Sequence, residues 1–381
     1  MKESIFKKNE KKSFAFVEDQ NTQNNINELD EFVNSGRGQT KKVLNPKGRP
    51  KVDKDDLKQE QIVIYLTKEQ KDEITKKAKQ SSLSVSKYVM LKVFGINYKE
   101  IKFMKIDILS DLHLDFYFKP HLTTQENVVS FFEPIFTQNN TRKIGDVLII
   151  AGDIGHYNSQ NIEVLKIVQK KFYKYIICVL GNHDYYLVNS DAKYSFKNNS
   201  FNRIDNMKHL IKKEKNIFCL DADIIEIEGI KFGGCNSWYD DSYVKKYFKQ
   251  FDVNYVNLLW KQYINDSRLI YGINNFDTIY KIEMEKLEKI YQNCDVMITH
   301  VNPSCSEEHI NEKYHNNPTN TFFTFDGSKY YNNGTMKYWI FGHTHDSIEY
   351  EIGDVKFLCN PLGYPHESNF GNNAKIMSFE I

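Results

Sequence analysis

Gly181-Asn182-His183-Asp184 directly follows the apolar run Tyr175-Ile176-Ile177-Cys178-Val179-Leu180. The run reads as a buried strand, and Gly181 marks where the backbone leaves it. An amide, an imidazole and a carboxylate therefore arrive on consecutive residues at a strand's C-terminal end, where open α/β sheets place their sites. Asn182 offers a neutral oxygen to a hard metal, His183 a proton, and Asp184 a carboxylate that holds the imidazole in one tautomer. Four residues alone amount to a polar turn. Their weight comes from clusters of the same kind elsewhere.

Upstream, the strand Lys105-Ile106-Asp107-Ile108-Leu109-Ser110 ends in Asp111-Leu112-His113, and the strand Asp146–Ala151 ends in Gly152-Asp153. Downstream, Asp295–Thr299 leads to His300, and Tyr338–Phe341 leads to Gly342-His343-Thr344-His345. On an extended backbone the Asp-x-His and His-x-His pairs, at i and i+2, point both side chains the same way. Nitrogen and oxygen donors without thiolate suit manganese, iron, zinc or similar divalent ions. Asp111, His113, Asp153, Asn182, His300, His343 and His345 are too many for one closed site and fit two ions sharing a carboxylate. Between these clusters, helices are expected over Asn161–Lys171 and from about Asn202 to Lys215. Further strands are expected at Asn216–Leu220, Ile224–Glu228, Ile230–Gly233, Ile348–Ile352, Val355–Cys359 and Ala374–Phe379, an α/β pattern. Residues 239–292 read as a largely helical insertion that caps the site, and His156 as an exposed loop histidine.

The chain has 381 residues, 40% hydrophobic and 14% aromatic, enough for a large core and more than one unit. No run is long and apolar enough for a membrane span, and the first ten residues lack a signal-peptide core. Six scattered cysteines with no Cys-x-x-Cys fit a reducing cytoplasm. The net charge of +1 hides an asymmetry: residues 1–103 carry 22 Lys+Arg against 15 Asp+Glu (+7), and the remainder 29 against 35 (−6). A basic head on an acidic body suggests a separate module with a polyanionic partner.

Residues 1–46 read as a disordered polar tail, and Lys47, Arg49 and Lys51 form a basic arm. Gln61–Leu66 is a strand candidate. Thr67, with Gln70 three residues on, caps a helix to about Gln80, and Ser84 or Ser86 caps a second that Gly95 ends. Strand, helix, turn and helix within residues 47–100 resemble a ribbon-helix-helix DNA-binding module of plasmid mobilisation accessory proteins. The resemblance implies a DNA partner, a homodimer formed by strand pairing, and groove contacts from Gln61, Val63 and Tyr65. Val63 departs from that pattern, since it cannot hydrogen-bond a base edge. Dimerisation alone, or an unrelated helical hairpin, are the other readings of the segment.

Asp-x-His, Gly-Asp, Gly-Asn-His-Asp, a lone His after a strand and Gly-His-x-His, in that order, resemble the calcineurin-like metallophosphoesterases over residues 104–381. The resemblance implies a four-layer αββα sandwich. It also implies two divalent ions, Mn²⁺ first among the candidates and Fe, Zn or Ni as alternatives. Asp111, His113 and His345 would hold one ion, Asn182, His300 and His343 the other, and Asp153 would bridge them. Such a pair, about 3.5–4 Å apart, acidifies a water that attacks phosphorus. His183 would protonate the leaving oxygen, with Asp184 orienting its ring. The implied substrate is a phosphate ester, a phosphodiester ahead of a monoester. In Asn360-Pro361-Leu362-Gly363-Tyr364, Leu362 stands where some bacterial relatives carry arginine, and Gly152–His156 lacks the arginine-containing extension of Ser/Thr protein phosphatases. Two other functions compete: a DNA-binding plasmid mobilisation or maintenance factor, and a catalytically dead metal scaffold. No expected ligand is missing, which weighs against the last.

Overall fold

The structure, a computed structural model, describes residues 66–80, 84, 85, 88, 89, 92, 103–138, 141–367 and 375–381. The chain divides into two units between Lys102 and Phe103. In the first, helix α1 (Lys68–Gln80) opens on the reciprocal cap that Thr67 and Gln70 predict. Thr67 N donates to Gln70 Oε1 at 3.0 Å, and Gln70 N donates to Thr67 Oγ1 at 3.3 Å. Lys47, Arg49, Lys51, Gln61, Val63 and Tyr65 lie outside the described residues.

The second unit carries strands β1 (Lys105–Leu109), β2 (Val147–Ala151), β3 (Tyr175–Val179), β4 (Ile217–Cys219), β5 (Asp223–Ile227), β6 (Ile230–Gly234), β7 (Val296–Ile298), β8 (Tyr338–Phe341), β9 (Ile348–Ile352), β10 (Val355–Cys359) and β11 (Met377–Glu380). They form two sheets, ordered β11-β1-β2-β3-β4 and β5-β6-β7-β8-β10-β9. Within each the central strands run parallel, with antiparallel pairs at β11/β1, β5/β6 and β9/β10.

Period-two alternation assigns each strand's faces. Ile106, Ile108, Val147, Ile149, Ile177 and Val179 point to one side and pack with Phe232, Val296, Ile298, Ile340 and Leu358 of the other sheet. The opposite faces, Leu148, Ile150, Ile176 and Cys178 in one sheet and Met297, Trp339 and Phe357 in the other, join a second apolar cluster with the helices. Parallel strands buried on both faces need cover on both, so the layers run helix, sheet, sheet, helix. The longer helices are α2 (Gln125–Thr137), α3 (Asn158–Phe172), α4 (Ser200–Ile211), α5 (Val253–Tyr263) and α6 (Asp277–Ile290).

Helix α2 is one the sequence reading did not assign, and Pro134 lies inside it. It forms all the same: Thr124 Oγ1 accepts from Asn127 N at 3.3 Å, and Val128, Phe132, Ile135 and Phe136 bury one stripe. Packing of that stripe outweighs the interrupted ladder.

Candidate metal centre

Both sheets deliver their chemistry at one end. β1 leads into Asp111 and His113, β2 into Asp153, β3 into Asn182, β7 into His300, and β8 into His343 and His345. Five of these residues have left-handed backbone: Asp111 (φ 51°), His113 (φ 42°), Asp153 (φ 54°), His343 (φ 70°) and His345 (φ 54°). The convergence of the Asp-x-His and His-x-His pairs is therefore not the extended i, i+2 geometry expected from the sequence. Each chain turns sharply once past its strand, in a conformation Asp and His tolerate better than most residues. Cross-loop bonds hold these turns, with Asp111 N donating to Gly152 O and His113 N to Asp153 O, both at 3.0 Å. Gly181 is required by closeness: a Cβ there would sit 2.2 Å from Asp153 Oδ1 and 2.6 Å from His300 Nε2.

The donor atoms meet. His113 Nε2 lies 3.0 Å from His345 Nε2, and His345 Nε2 lies 3.6 Å from Asp111 Oδ1. His300 Nε2 lies 3.1 Å from Asn182 Oδ1 and 3.4 Å from Asp153 Oδ1. Asp111, His113 and His345 form one group able to hold a cation; Asp153, His300 and His343 form another, and Asp153 also groups with His113 and His183. All seven residues expected as ligands are thus gathered, with Asp153 between the two sets.

Several donor atoms are turned toward one another by bonds on their far side. His300 Nδ1 donates to Ala151 O at 2.8 Å, which points Nε2 at Asn182 Oδ1. Glu367 accepts from His345 Nδ1 at 2.9 Å, which points His345 Nε2 at His113. Asp153 Oδ2 is buried without a hydrogen-bond partner, 3.8 Å from His113 Nε2 and 4.0 Å from His183 Nε2. Burial pushes the His113 and His343 imidazoles down to about 3, so both are neutral, as ligation requires. Burial also works against a charged His300, but the Asp153 carboxylate outweighs it and raises the imidazole to about 9. The cluster demands positive charge, and its donors are those that hold borderline divalent ions.

Groups that belong to no sequence motif set the orientation of these side chains. Asp266, fully buried in the 239–292 insertion, accepts from Asn182 Nδ2 at 2.8 Å and from the hydroxyls of Tyr186 and Tyr239 at 2.5 Å. That bond fixes which end of the Asn182 amide faces the centre. The insertion thus supplies the carboxylate that orients the Asn182 amide. Asp266→Ala is expected to weaken metal affinity by about 10–100-fold, the usual effect of losing a ligand's outer partner. Metal titration of the chelator-stripped variant checks this, and unchanged affinity would refute it. Tyr239 and Trp238 are core residues, 0% and 1% exposed.

Two expectations are corrected. Asp184 does not touch the His183 ring; its carboxylate accepts from Gly181 N at 2.8 Å and Ile154 N at 3.3 Å. It serves the backbone of the turn, and burial pushes it up to about 6. The ring is held instead by His156, expected on the surface but with a side chain only 10% exposed, whose Nε2 lies 3.1 Å from His183 Nδ1. Arg203 on α4, 1% exposed, donates to His183 O at 2.7 Å, Tyr186 O at 3.1 Å and Gly155 O at 2.6 Å. Tyr364 stacks on His113 at 4.4 Å, whereas Leu362 is buried in the core. An open cavity of about 290 Å³ exposes Asp153, Asn182, His183, His343 and His345 beneath walls that include Tyr263 and Phe323.

Residues 104–347 match the family model for calcineurin-like phosphoesterases. The chain belongs to the calcineurin-like phosphoesterase family. Membership makes it a phosphoric ester hydrolase of a dinuclear, metal-dependent kind. An uncharacterised protein of Acanthamoeba polyphaga mimivirus is 28% identical over 242 residues, 58% of this chain and 80% of that protein. Among solved structures, phosphopantetheinyl hydrolase from Mycobacterium tuberculosis is similar at 15% identity and TM-score 0.47, covering 68% of this phosphoesterase and 90% of that chain. A dimetal phosphatase from Danio rerio is similar at 10% identity and TM-score 0.35, covering 67% and 86%. Among the described residues of this phosphoesterase, no helix is long and apolar enough to cross a membrane.

Proposed function

We propose that the chain hydrolyses a phosphodiester at a two-metal centre. The observation that carries this reading is the unpartnered Asp153 Oδ2, buried between two sets of lone-pair donors. Asp111, His113 and His345 would hold one ion, Asn182, His300 and His343 the other, and Asp153 both. Ions held there would supply an acidified water and offset the charge of phosphoryl oxygens. His183 presents Nε2 at the cavity, where a proton taken up from water passes to the departing oxygen. Tyr263 and Phe323 wall the cavity and restrict water.

Diester is favoured by charge. No Lys or Arg lines the cavity among the described residues, so a doubly charged monoester would meet no side-chain cation there, whereas a singly charged diester needs less. At about 290 Å³ the cavity lies near the lower end of the range for sites that take whole small molecules, about 300–1,000 Å³. It leaves room for a substituent on each side of phosphorus. The metal is most simply Mn²⁺ by donor type, with Fe, Zn or Ni also compatible.

The test is hydrolysis of bis(p-nitrophenyl) phosphate by Mn²⁺- or Ni²⁺-loaded chain, set beside p-nitrophenyl phosphate. Faster turnover of the diester, loss of activity on chelation, and a fall of about 10²–10⁴ in kcat for His183→Ala are expected. Undiminished turnover after complete metal removal would rule the reading out.

A further inference from the structure

We propose that Asp115 and His156 are positioning residues for the His183 imidazole, fixing the nitrogen it turns toward the leaving group; this rests on the phosphoesterase reading above. Asp115 lies two residues past His113, in the short helix Leu114–Tyr117. Its carboxylate grips His156 twice, accepting from the backbone N at 2.9 Å and from ring Nδ1 at 2.7 Å. A carboxylate only accepts, so His156 Nδ1 carries the proton and Nε2 is left as an acceptor. That acceptor sits 3.1 Å from His183 Nδ1, with the two rings 23° from coplanar. His183 therefore donates through Nδ1, and its Nε2 turns into the cavity, 3.4 Å from the Tyr364 hydroxyl and 4.0 Å from Asp153 Oδ2. The Asp115 and His156 side chains are 12% and 10% exposed, so water competes little for these bonds. Arg203 ties the two loops together through Gly155 O and His183 O. Neither Asp115 nor His156 belongs to a metal-holding group.

The step served is the departure of the alcohol. His183 Nε2, a lone pair in the resting ring, first takes a proton from water, with Nδ1–H held by His156 Nε2. As the alcohol's bond to phosphorus breaks, the electron pair stays on the leaving oxygen, which takes that proton, while the hydroxide left from the water bonds to phosphorus, so no further reactant is needed. A poor leaving group needs that proton most. Loss of the positioning pair should therefore show as leaving-group dependence.

The experiment uses the full Mn²⁺-loaded chain with bis(p-nitrophenyl) phosphate and with diphenyl phosphate, whose phenolate is the poorer leaving group. His156→Ala is expected to lower kcat on diphenyl phosphate about 10–100-fold more than on the nitrophenyl ester, with KM and bound metal near wild type. His156→Gln, whose amide oxygen can accept from His183 Nδ1, should recover part of the difference. Asp115→Asn is a second probe should His156→Ala fail to fold. Its amide oxygen would stay on the His156 backbone N and turn its NH₂ toward Nδ1, reversing the His156 tautomer, and the same selective loss is expected. Equal losses on both substrates would reduce the pair to a structural role and overturn the proposal. A change confined to KM would mark a direct substrate contact and overturn it too. A wild-type chain inactive on both esters would remove the phosphoesterase reading first, and this one with it.

Discussion

Asp153→Ala is expected to lose metal and activity together. The Asp153 carboxylate is surrounded: Oδ1 accepts from His183 N at 2.8 Å and lies 3.4 Å from His300 Nε2, while Oδ2 faces His113 and His183 with no hydrogen bond. Burial alone would raise its affinity for a proton, yet the charges of His300 and His183 outweigh burial and hold it well below the usual carboxylate range. Among the described residues it is the carboxylate that falls into candidate groups with His113 as well as with His300 and His343. Without it, each set keeps its imidazoles but loses the shared charge that would hold two cations close together. Bound metal, by elemental analysis after gel filtration, should fall from near two per chain to one or fewer. The ratio kcat/KM on bis(p-nitrophenyl) phosphate should fall by at least about 10³-fold, the scale seen when a preorganised electrostatic group is removed. Retention of both ions with wild-type turnover would end the two-metal reading.

The largest effect on stability is expected at Arg203. Its guanidinium is 1% exposed and donates to three carbonyls, and of the surrounding carboxylates the buried Asp184 favours its charged form most. Burial lowers its pKa to about 10, which still leaves it charged at neutral pH. Arg203→Met would keep much of the volume, strand those carbonyls and leave Asp184 without its cation. Leaving buried acceptors unpaired costs about 1–3 kcal/mol each, so the loss of three such bonds is expected to total about 3–5 kcal/mol. For a unit of this size that corresponds to a Tm lower by roughly 6–20 °C. Scanning calorimetry of the full chain resolves it on the transition of the second unit. A shift of under a degree would mean that water or a neighbouring residue replaces the guanidinium.

How much of this could be read from the sequence depends on whether a residue's partner lies near it in the chain. The strands were legible because Ile176, Ile177, Cys178 and Val179 are apolar in unbroken succession, as buried parallel strands must be. The strand-end clusters were legible because each polar group follows such a run directly. The side chains that aim the candidate ligands were not. Asp266 is 84 residues from Asn182, and Glu367 is 22 from His345. As lone acids in polar surroundings, both resemble ordinary surface residues. Asp184 misled through its adjacency to His183: in the tight turn Asn182–Tyr185 its carboxylate folds back onto Gly181 N, and the ring turns away toward His156. In α2 the local preference of Pro134 was visible and the apolar stripe's tertiary partners were not.

The left-handed backbone at Asp111, His113, Asp153, His343 and His345 bears on how the centre is assembled. Conformations of that kind cost about 1–3 kcal/mol each and persist only where surrounding structure enforces them, here the strands and their cross-loop bonds. Among the enforcing contacts are the cross-loop bonds from Asp111 N to Gly152 O and from His113 N to Asp153 O. A substitution that loosens one of these turns therefore costs twice, by removing the contact and by letting a strained backbone relax away from the position that aims its side chain.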